Sequence, residues 1–149
     1  MKTYYIFSMK KEIEDLYQEK STDLFKILDS IYYMHEDDLM YGFNLFKELT
    51  NGINIYDVNN NIYILLHNEY MYSKYNNEHI INDLYRDEIS VLKIKKSHLI
   101  LETNKNYSSF FKILYKLNNH YFVCDFINNE FFFINEMINL KNENSVNIK

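Results

Sequence analysis

Two hydrophobic periods run along the chain, and each predicts a different kind of element. Residues 4–9, a short aromatic and β-branched run, predict a strand. Residues 10–20 predict a helix, because Ile13, Leu16 and Tyr17 recur at positions i, i+3 and i+4 and share one helical face. That face either packs against the core or contacts a partner, and the period alone favours core packing slightly.

Two longer amphipathic stretches predict helices, and the first of them has an apolar stripe wide enough to face the core. Residues 21–23, Ser-Thr-Asp, have the short oxygen side chains that cap a helix start. From Leu24 a broad apolar stripe follows at positions 24, 25, 27, 28, 31 and 32. Residues 36–49 predict a third helix with three acidic residues in its first turn, where the helix dipole favours negative charge. The Asn-Gly pair at 51–52 tolerates the backbone that ends a helix.

The middle of the chain has a weaker pattern. Residues 53–58 and 61–67 resemble two short strands, and the three asparagines between and beside them predict a turn. Residues 69–85 are polar and aromatic without a clean period, which predicts a loop, with a short helix at about residues 79–87.

The second half returns to regular patterns. Residues 89–103 alternate on both sides of Lys96 and Ser97 and predict a hairpin. Residues 106–117 predict an amphipathic helix, and residues 120–126 with 130–137 predict a last hairpin. The polar tail, residues 140–149, has no period and is expected to fray.

These elements predict a single α+β domain over residues 1–139. No linker, repeat or low-complexity segment divides the chain. We expect a mostly antiparallel sheet packed against several helices, with the N-terminal strand inside the sheet.

Composition narrows the function classes. The 149 residues are 47% hydrophobic and 17% aromatic, which is typical of a folded domain. With a net charge of -5, the chain lacks the excess of lysine and arginine that is typical of a DNA- or RNA-binding protein. No apolar run is long enough for a secretory signal or a membrane-spanning helix. We therefore expect a cytoplasmic protein without direct contact to nucleic acid or membrane.

Residues capable of catalysis or metal binding are scattered. Two glycines are too few for a phosphate-binding loop. Cys124 lies in an apolar run typical of a buried thiol, and His67 with Glu69 is at most a weak pair of metal ligands. Asp125, in the same run, is explained better as an outward residue of an edge strand, or as a buried side chain capped by backbone amides, than as an acid or base. We therefore expect no enzyme activity, no metal and no cofactor.

Two other function classes stay open. Tyr70, Tyr72 and Tyr75 could stack bases or hold a small ligand on an aromatic surface, although the acidic balance opposes nucleic acid. A small enzyme that uses Asp125 or Cys124 would need one of them in a cleft beside a histidine.

Segments at both ends of the chain resemble a known family, the sporulation inhibitor of replication family, SirA. Their content, order and spacing are similar, as is the total length, whereas residues 53–102 match by strand pattern only. The segments are YY at 4–5, KKEIEDLYQEK at 10–20, LFKILDS at 24–30, FFKILYKL at 110–117 and YFVCDFINNEFFFIN at 121–135.

The resemblance implies an inhibitor of chromosome replication that binds the N-terminal domain of the initiator DnaA. We expect this chain to be a monomer alone and to form a heterodimer with its partner. The family's partner surface includes a Glu-Phe-x-x-x-Tyr pattern on the first helix, which Glu12, Ile13 and Tyr17 match with isoleucine in place of the aromatic residue. Leu16 shares that face. The third helix is expected to contribute to the same surface, and its candidates are Asn44 and Leu45.

Overall fold

A seven-stranded sheet with helices on both sides organises the chain. The computed structural model describes residues 1–118 and 120–147, with the side chains of the last helix described as far as Leu140. The strands are β1 (Lys2–Ser8), β2 (Tyr72–Tyr75), β3 (Glu78–Asp83), β4 (Glu88–Ile94), β5 (Leu99–Thr103), β6 (Tyr121–Asp125) and β7 (Glu130–Phe133). The helices are α1 (Lys11–Tyr17), α2 (Ser21–Tyr32), α3 (Leu39–Leu49), α4 (Ile55–Leu66), α5 (Ser109–Leu117) and α6 (Ile134–Asn147), with one turn of 3-10 helix (Glu36–Asp38) before α3.

The sheet has the strand order β2-β3-β4-β5-β1-β6-β7, and every neighbouring pair is antiparallel. The strand β1 lies inside it, where Tyr5 pairs with Ile100 of β5 and with Cys124 of β6. The predicted α+β class, the interior N-terminal strand and the β4–β5 and β6–β7 hairpins are therefore confirmed.

Alternate residues of β1 point to opposite faces of the sheet, and each face has its own hydrophobic core. The first core contains Tyr4 and Ile6 of β1 and packs against α4, α5 and α6. The second core contains Phe7, with Tyr5 packed against it, and is covered by α1, α2 and α3. The helices predicted for residues 10–20, 24–32, 36–49 and 106–117 are confirmed with shifted ends.

The helix α4 (Ile55–Leu66) takes up most of residues 53–67, so the predicted pair of strands is wrong. Asn54 caps the helix, because its side chain accepts a hydrogen bond from the amide of Asp57 at 3.1 Å. Ile62 and Leu66 lie on the face buried in the first core. The asparagines that suggested a turn lie inside the helix, where Asn59 accepts a hydrogen bond from Nε2 of His79 at 2.7 Å.

Residues 69–87 contain the hairpin of β2 and β3, so the predicted loop and short helix are wrong. The turn uses Asn76, whose φ of 53° is the left-handed conformation that asparagine tolerates. The inward residues of β3 are His79, Ile81 and Asp83. Because two of these three buried side chains are polar, the hydrophobic alternation that identifies a strand is lost.

The last predicted strand, residues 130–137, is correct only for its first half. The strand β7 ends at Phe133, and α6 begins at Ile134. The backbone of α6 continues to Asn147, whereas residues 148–149 lie outside the described residues. The fraying expected for the tail from Leu140 stays a prediction.

Candidate partner-binding surface

Hydrogen bonds between backbone groups hold the start of α1 against the end of α3. The amide of Lys10 donates a hydrogen bond to the carbonyl of Leu49 at 3.1 Å. Met9 and Thr50 form an antiparallel bridge beside it. The two helices that carry the predicted site residues therefore adjoin where one begins and the other ends.

The three apolar residues of α1 have different environments. Ile13 and Tyr17 are half-buried and pack against the second core. Leu16 leaves 61% of its surface exposed, although it follows the same helical spacing. The face predicted from the sequence thus has two residues that hold the helix on the core and one that faces solvent.

The two predicted residues of α3 are also split. Leu45 is half-buried and packs against the same second core as Ile13 and Tyr17. Asn44 is exposed on the outer side of α3. The fold therefore places three of the predicted residues on one core and leaves Leu16 and Asn44 free for an outside contact.

A buried carboxylate holds the other side of α1. The side chain of Glu14 is paired with Nδ1 of His120, just before β6, and accepts a hydrogen bond from Nδ2 of Asn135 in α6 at 3.2 Å. Burial, and then the charge of Glu14, raise the pKa of the neighbouring Glu136. Sequence reasoning missed Glu14, because it lies among charged residues and no local pattern separates it from them.

Replacing Glu14 with alanine is expected to lower the free energy of unfolding by about 1–2 kcal/mol, because Asn135 and His120 lose a buried acceptor. Glu12→Ala, two residues earlier on the same helix and exposed, is the matched control and should change it by less than about 0.5 kcal/mol. Urea unfolding measures both. Equal effects would show that Glu14 is no more important to α1 than a surface charge.

The two candidates for an enzyme site have structural roles. Cys124 is fully buried in the second core, and burial raises the pKa of its thiol, which disfavours the reactive thiolate. Asp125 accepts hydrogen bonds from the amides of Ile127 and Asn128, each at 3.1 Å, and so closes the β6–β7 turn. Neither side chain has a hydrogen bond to a histidine among the described residues.

The histidines do not assemble a metal centre. Nδ1 of His67 lies 3.0 Å from the carbonyl oxygen of Tyr63 in its own helix. His98 is half-buried against the rings of Tyr5 and Phe7. Within residues 1–118 and 120–140, no three His, Cys, Asp or Glu side chains are grouped to hold a metal ion.

Tyr70, Tyr72 and Tyr75, which could have stacked bases or held a small ligand, do not lie on one surface. Tyr72 packs on the first core, and its hydroxyl lies 2.7 Å from Nδ1 of His79. Tyr75 is three residues along β2 and therefore points to the opposite face. Tyr70 precedes the strand and contacts Tyr85. This arrangement lacks the continuous row of rings on which successive bases stack.

Comparison with known proteins identifies the family. The family model of the sporulation inhibitor of replication protein SirA matches residues 2–138. Because the match covers nearly the whole chain, the protein belongs to this family of sporulation-related replication inhibitors, and the resemblance found at both ends of the sequence is confirmed. A search of curated proteins returned no match. None of the helices in the described part of the chain is long and apolar enough to cross a membrane.

Proposed function

We propose that the protein inhibits the initiation of chromosome replication by binding the N-terminal domain of the initiator DnaA with the outer surface of α1 and α3. The family description supports the inhibition of replication in sporulation. The observation that carries the choice of surface is Leu16, an exposed leucine on a helix whose other apolar residues are held by the core.

The attachment of α1 favours a role as a rigid anchor. Ile13 and Tyr17 fix the helix on the second core, and Glu14 ties its other side to α6. A partner that docks on this helix does not have to order it, so little of the binding free energy is lost to conformational entropy. Leu16 then inserts into an apolar pocket of the partner, while the exposed charged residues Glu12 and Asp15 form part of a polar rim.

The proposed mechanism is steric. One copy of the protein covers the surface that the initiator domain uses for self-association or for recruiting other replication proteins, and ordered assembly at the origin fails. The protein acts in the cytoplasm as a monomer that forms a heterodimer with its target. It has no direct contact with DNA, which agrees with its net charge of -5.

Replacing Leu16 with aspartate tests this surface. We expect the variant to bind the N-terminal domain of the cognate DnaA at least about 30-fold more weakly, which corresponds to about 2 kcal/mol for an anchor residue. Tyr17 is only half-buried, so the exposed part of its ring can contact the partner beside Leu16, and Tyr17→Ala should weaken binding by a similar amount while the protein stays folded. Isothermal titration calorimetry measures the affinities, and circular dichroism checks the fold.

The matched control is Leu84→Asp, because Leu84 is also an exposed leucine, 87% accessible, and lies in the β3–β4 turn. This variant should bind like the unchanged protein. Failure of the unchanged protein to bind at micromolar concentration would remove DnaA as the partner. Equal weakening by both leucine variants would instead remove α1 as the surface. Unfolding of Tyr17→Ala would assign that residue to the core alone.

A further inference from the structure

A groove of about 350 Å³ opens between the helices α2 and α3 and the β4–β5 turn. This volume lies within the range of roughly 300–1,000 Å³ that is typical of small-molecule sites. Phe7 of β1 and Leu28 of α2 line it from the second core. The groove is distinct from the outer residues Leu16 and Asn44 of the partner-binding surface, which do not line it.

One wall of the groove is a single face of α3. Leu39, Gly42, Phe43 and Phe46 follow the spacing i, i+3, i+4, i+7, and all four line the groove. Leu39 and Phe43 each leave 53% of their surface exposed. Gly42 makes room for Met34, because a Cβ at this position would lie 2.5 Å from its sulfur. The wall is therefore apolar and accessible.

The opposite wall is a set of packed aromatic rings. Tyr32 of α2 stacks on Phe126 with their ring centroids 4.6 Å apart, and Tyr5 of β1 contacts both rings. Such a wall presents both faces and edges of rings, which are the surfaces that a flat aromatic molecule contacts best.

The groove has a polar end, and the other polar side-chain groups of its lining are the hydroxyls of Tyr5 and Tyr32, which lie 3.4 Å apart. Ser97 and His98 close it at the β4–β5 turn, where the Ser97 hydroxyl lies 2.7 Å from Nδ1 of His98. Burial lowers the pKa of His98, so its ring is neutral at neutral pH. In the part of the chain that the structure describes, no lysine, arginine, aspartate or glutamate lines the groove.

We propose that this groove binds a small, uncharged, mainly aromatic molecule, with a polar atom of the ligand placed at the His98 end. Burial of a charged ligand would be costly, because no lining side chain offers an opposite charge. Apolar burial between the ring wall and α3 supplies the affinity. The proposal does not depend on the DnaA-binding function, because Leu16 and Asn44 take no part in it.

A pair of fluorescent probes tests the chemistry of the site. N-phenylnaphthylamine is a neutral aromatic amine, and anilinonaphthalene sulfonate is its charged analogue. We expect the neutral probe to saturate one site per chain and to bind about tenfold more tightly than the sulfonate, because the groove cannot pair the buried charge. Fluorescence titration of the full chain measures both affinities.

Matched variants of α3 test the location. Leu39→Trp places a large side chain in the groove and should weaken the neutral probe about tenfold. Met40→Trp is the control, because Met40 is adjacent, 71% exposed and outside the groove lining, and it should change the affinity by less than about twofold. His98→Phe keeps the ring but removes the polar end and should weaken the probe about fivefold.

Three results would overturn the proposal. They are the absence of saturable binding by the neutral probe, equal effects of the two tryptophan variants, or tighter binding of the sulfonate. An unchanged affinity in His98→Phe would contradict the placement of the polar atom. Leu16→Asp should bind the probe normally, so failure of this proposal and failure of the DnaA-binding proposal produce different results.

Discussion

Replacing Glu88 with alanine is expected to lower the free energy of unfolding by about 3 kcal/mol or more, since each hydrogen bond to a charged group contributes roughly 1.5–3 kcal/mol. Glu88 begins β4 and is almost fully buried. Its Oε2 accepts hydrogen bonds from the hydroxyl of Ser90 at 2.6 Å and from the amide of Ser109 at 3.0 Å. Its Oε1 accepts a hydrogen bond from the hydroxyl of Ser109 at 2.5 Å.

This carboxylate joins the sheet to the start of α5. Ser108, the residue that caps α5, also donates its hydroxyl to Oε2 of Glu88 at 3.1 Å. The negative charge therefore lies at the helix N-terminus, where the helix dipole stabilises it. Alanine at position 88 would remove the acceptor that Ser90 of β4 shares with Ser108 and Ser109 at the start of α5.

The stabilisation by Glu88 should depend on pH in a defined direction. Burial pushes its pKa up, but the hydrogen bonds from Ser109, Ser90 and Ser108 outweigh burial and hold the pKa below its usual value of 4.5. The contribution is complete above pH 4.5 and is lost as the pH falls through the lower pKa of the folded state. The difference between the unchanged protein and Glu88→Ala should therefore shrink in acid.

Urea unfolding at neutral pH and in acid measures this effect. Glu78→Ala is the matched control on the neighbouring strand, because the Glu78 carboxylate is partly exposed and lies 3.9 Å from Lys93. The control should change stability by less than about 1 kcal/mol. A loss at Glu88 as small as at Glu78 would contradict a structural role for the buried carboxylate.

The protein is expected to lose about 3 kcal/mol of stability through His79 alone as the pH falls from 6.5 to 4. His79 is fully buried in β3, and burial, with a smaller effect of Lys74, lowers its pKa from 6.5 to about 4. The unfolded chain binds a proton in this pH range and the folded chain does not, so stability falls with the pH until about pH 4.

The hydrogen bonds of His79 explain why it stays neutral. Its Nδ1 accepts a hydrogen bond from the hydroxyl of Tyr72, and its Nε2 donates one to Oδ1 of Asn59, both at 2.7 Å. Asn59 is itself held by Asn77, whose Oδ1 accepts from its amide nitrogen at 2.8 Å. A second proton on the ring would have to share Nδ1 with a hydroxyl that already donates there.

The variant His79→Gln, compared with His67→Gln on the exposed surface, tests the assignment. Both are followed by urea unfolding at several pH values between 4 and 7. The stability of His79→Gln should be lower at neutral pH and should fall less steeply toward pH 4 than that of the control. Parallel curves for the two variants would assign the acid sensitivity to other groups, such as His98.

The elements predicted correctly contain buried apolar residues that follow one period without interruption. Beside its turn the β4–β5 hairpin buries Leu92 and Ile94 on one strand and Leu99 and Leu101 on the other, so the alternation is plain in the sequence. Its far end buries the polar residues Glu88, Ser90 and Thr103, which still keep the period of two. The helix α5 buries Phe110, Phe111 and Leu114 at helical spacing. In such segments the spacing of the apolar residues in the sequence is also the spacing of the buried residues in the fold.

The wrong predictions lie where polar side chains with distant partners interrupt the apolar pattern. Asn59, half-buried on α4, is hydrogen-bonded to His79, buried in β3, although the two are 20 residues apart. A pattern that treats polar residues as exposed predicts a turn at Asn59 and no strand at His79. The hydrogen-bond partners that make their burial possible lie in distant segments, so no local window contains the information.

The candidate surface on α1 was only partly predictable for a similar reason. Helical spacing placed Ile13, Leu16 and Tyr17 on one face and could not divide them further. The second core and the end of α3 bury parts of Ile13 and Tyr17 and leave Leu16 exposed. Glu14, which fixes the other side of the helix, has partners more than 100 residues away.

The α+β class, the interior position of β1 and the family could be predicted from the amino-acid sequence, because they follow from regular hydrophobic periods and from similar segments at both chain ends. The folded structure was needed to show which charged and polar side chains are buried, which apolar residue of α1 faces outward and where an open groove remains. Burial of a polar group depends on a partner that folding brings within hydrogen-bond distance. That partner is set by the packing of whole elements and not by the neighbours along the chain.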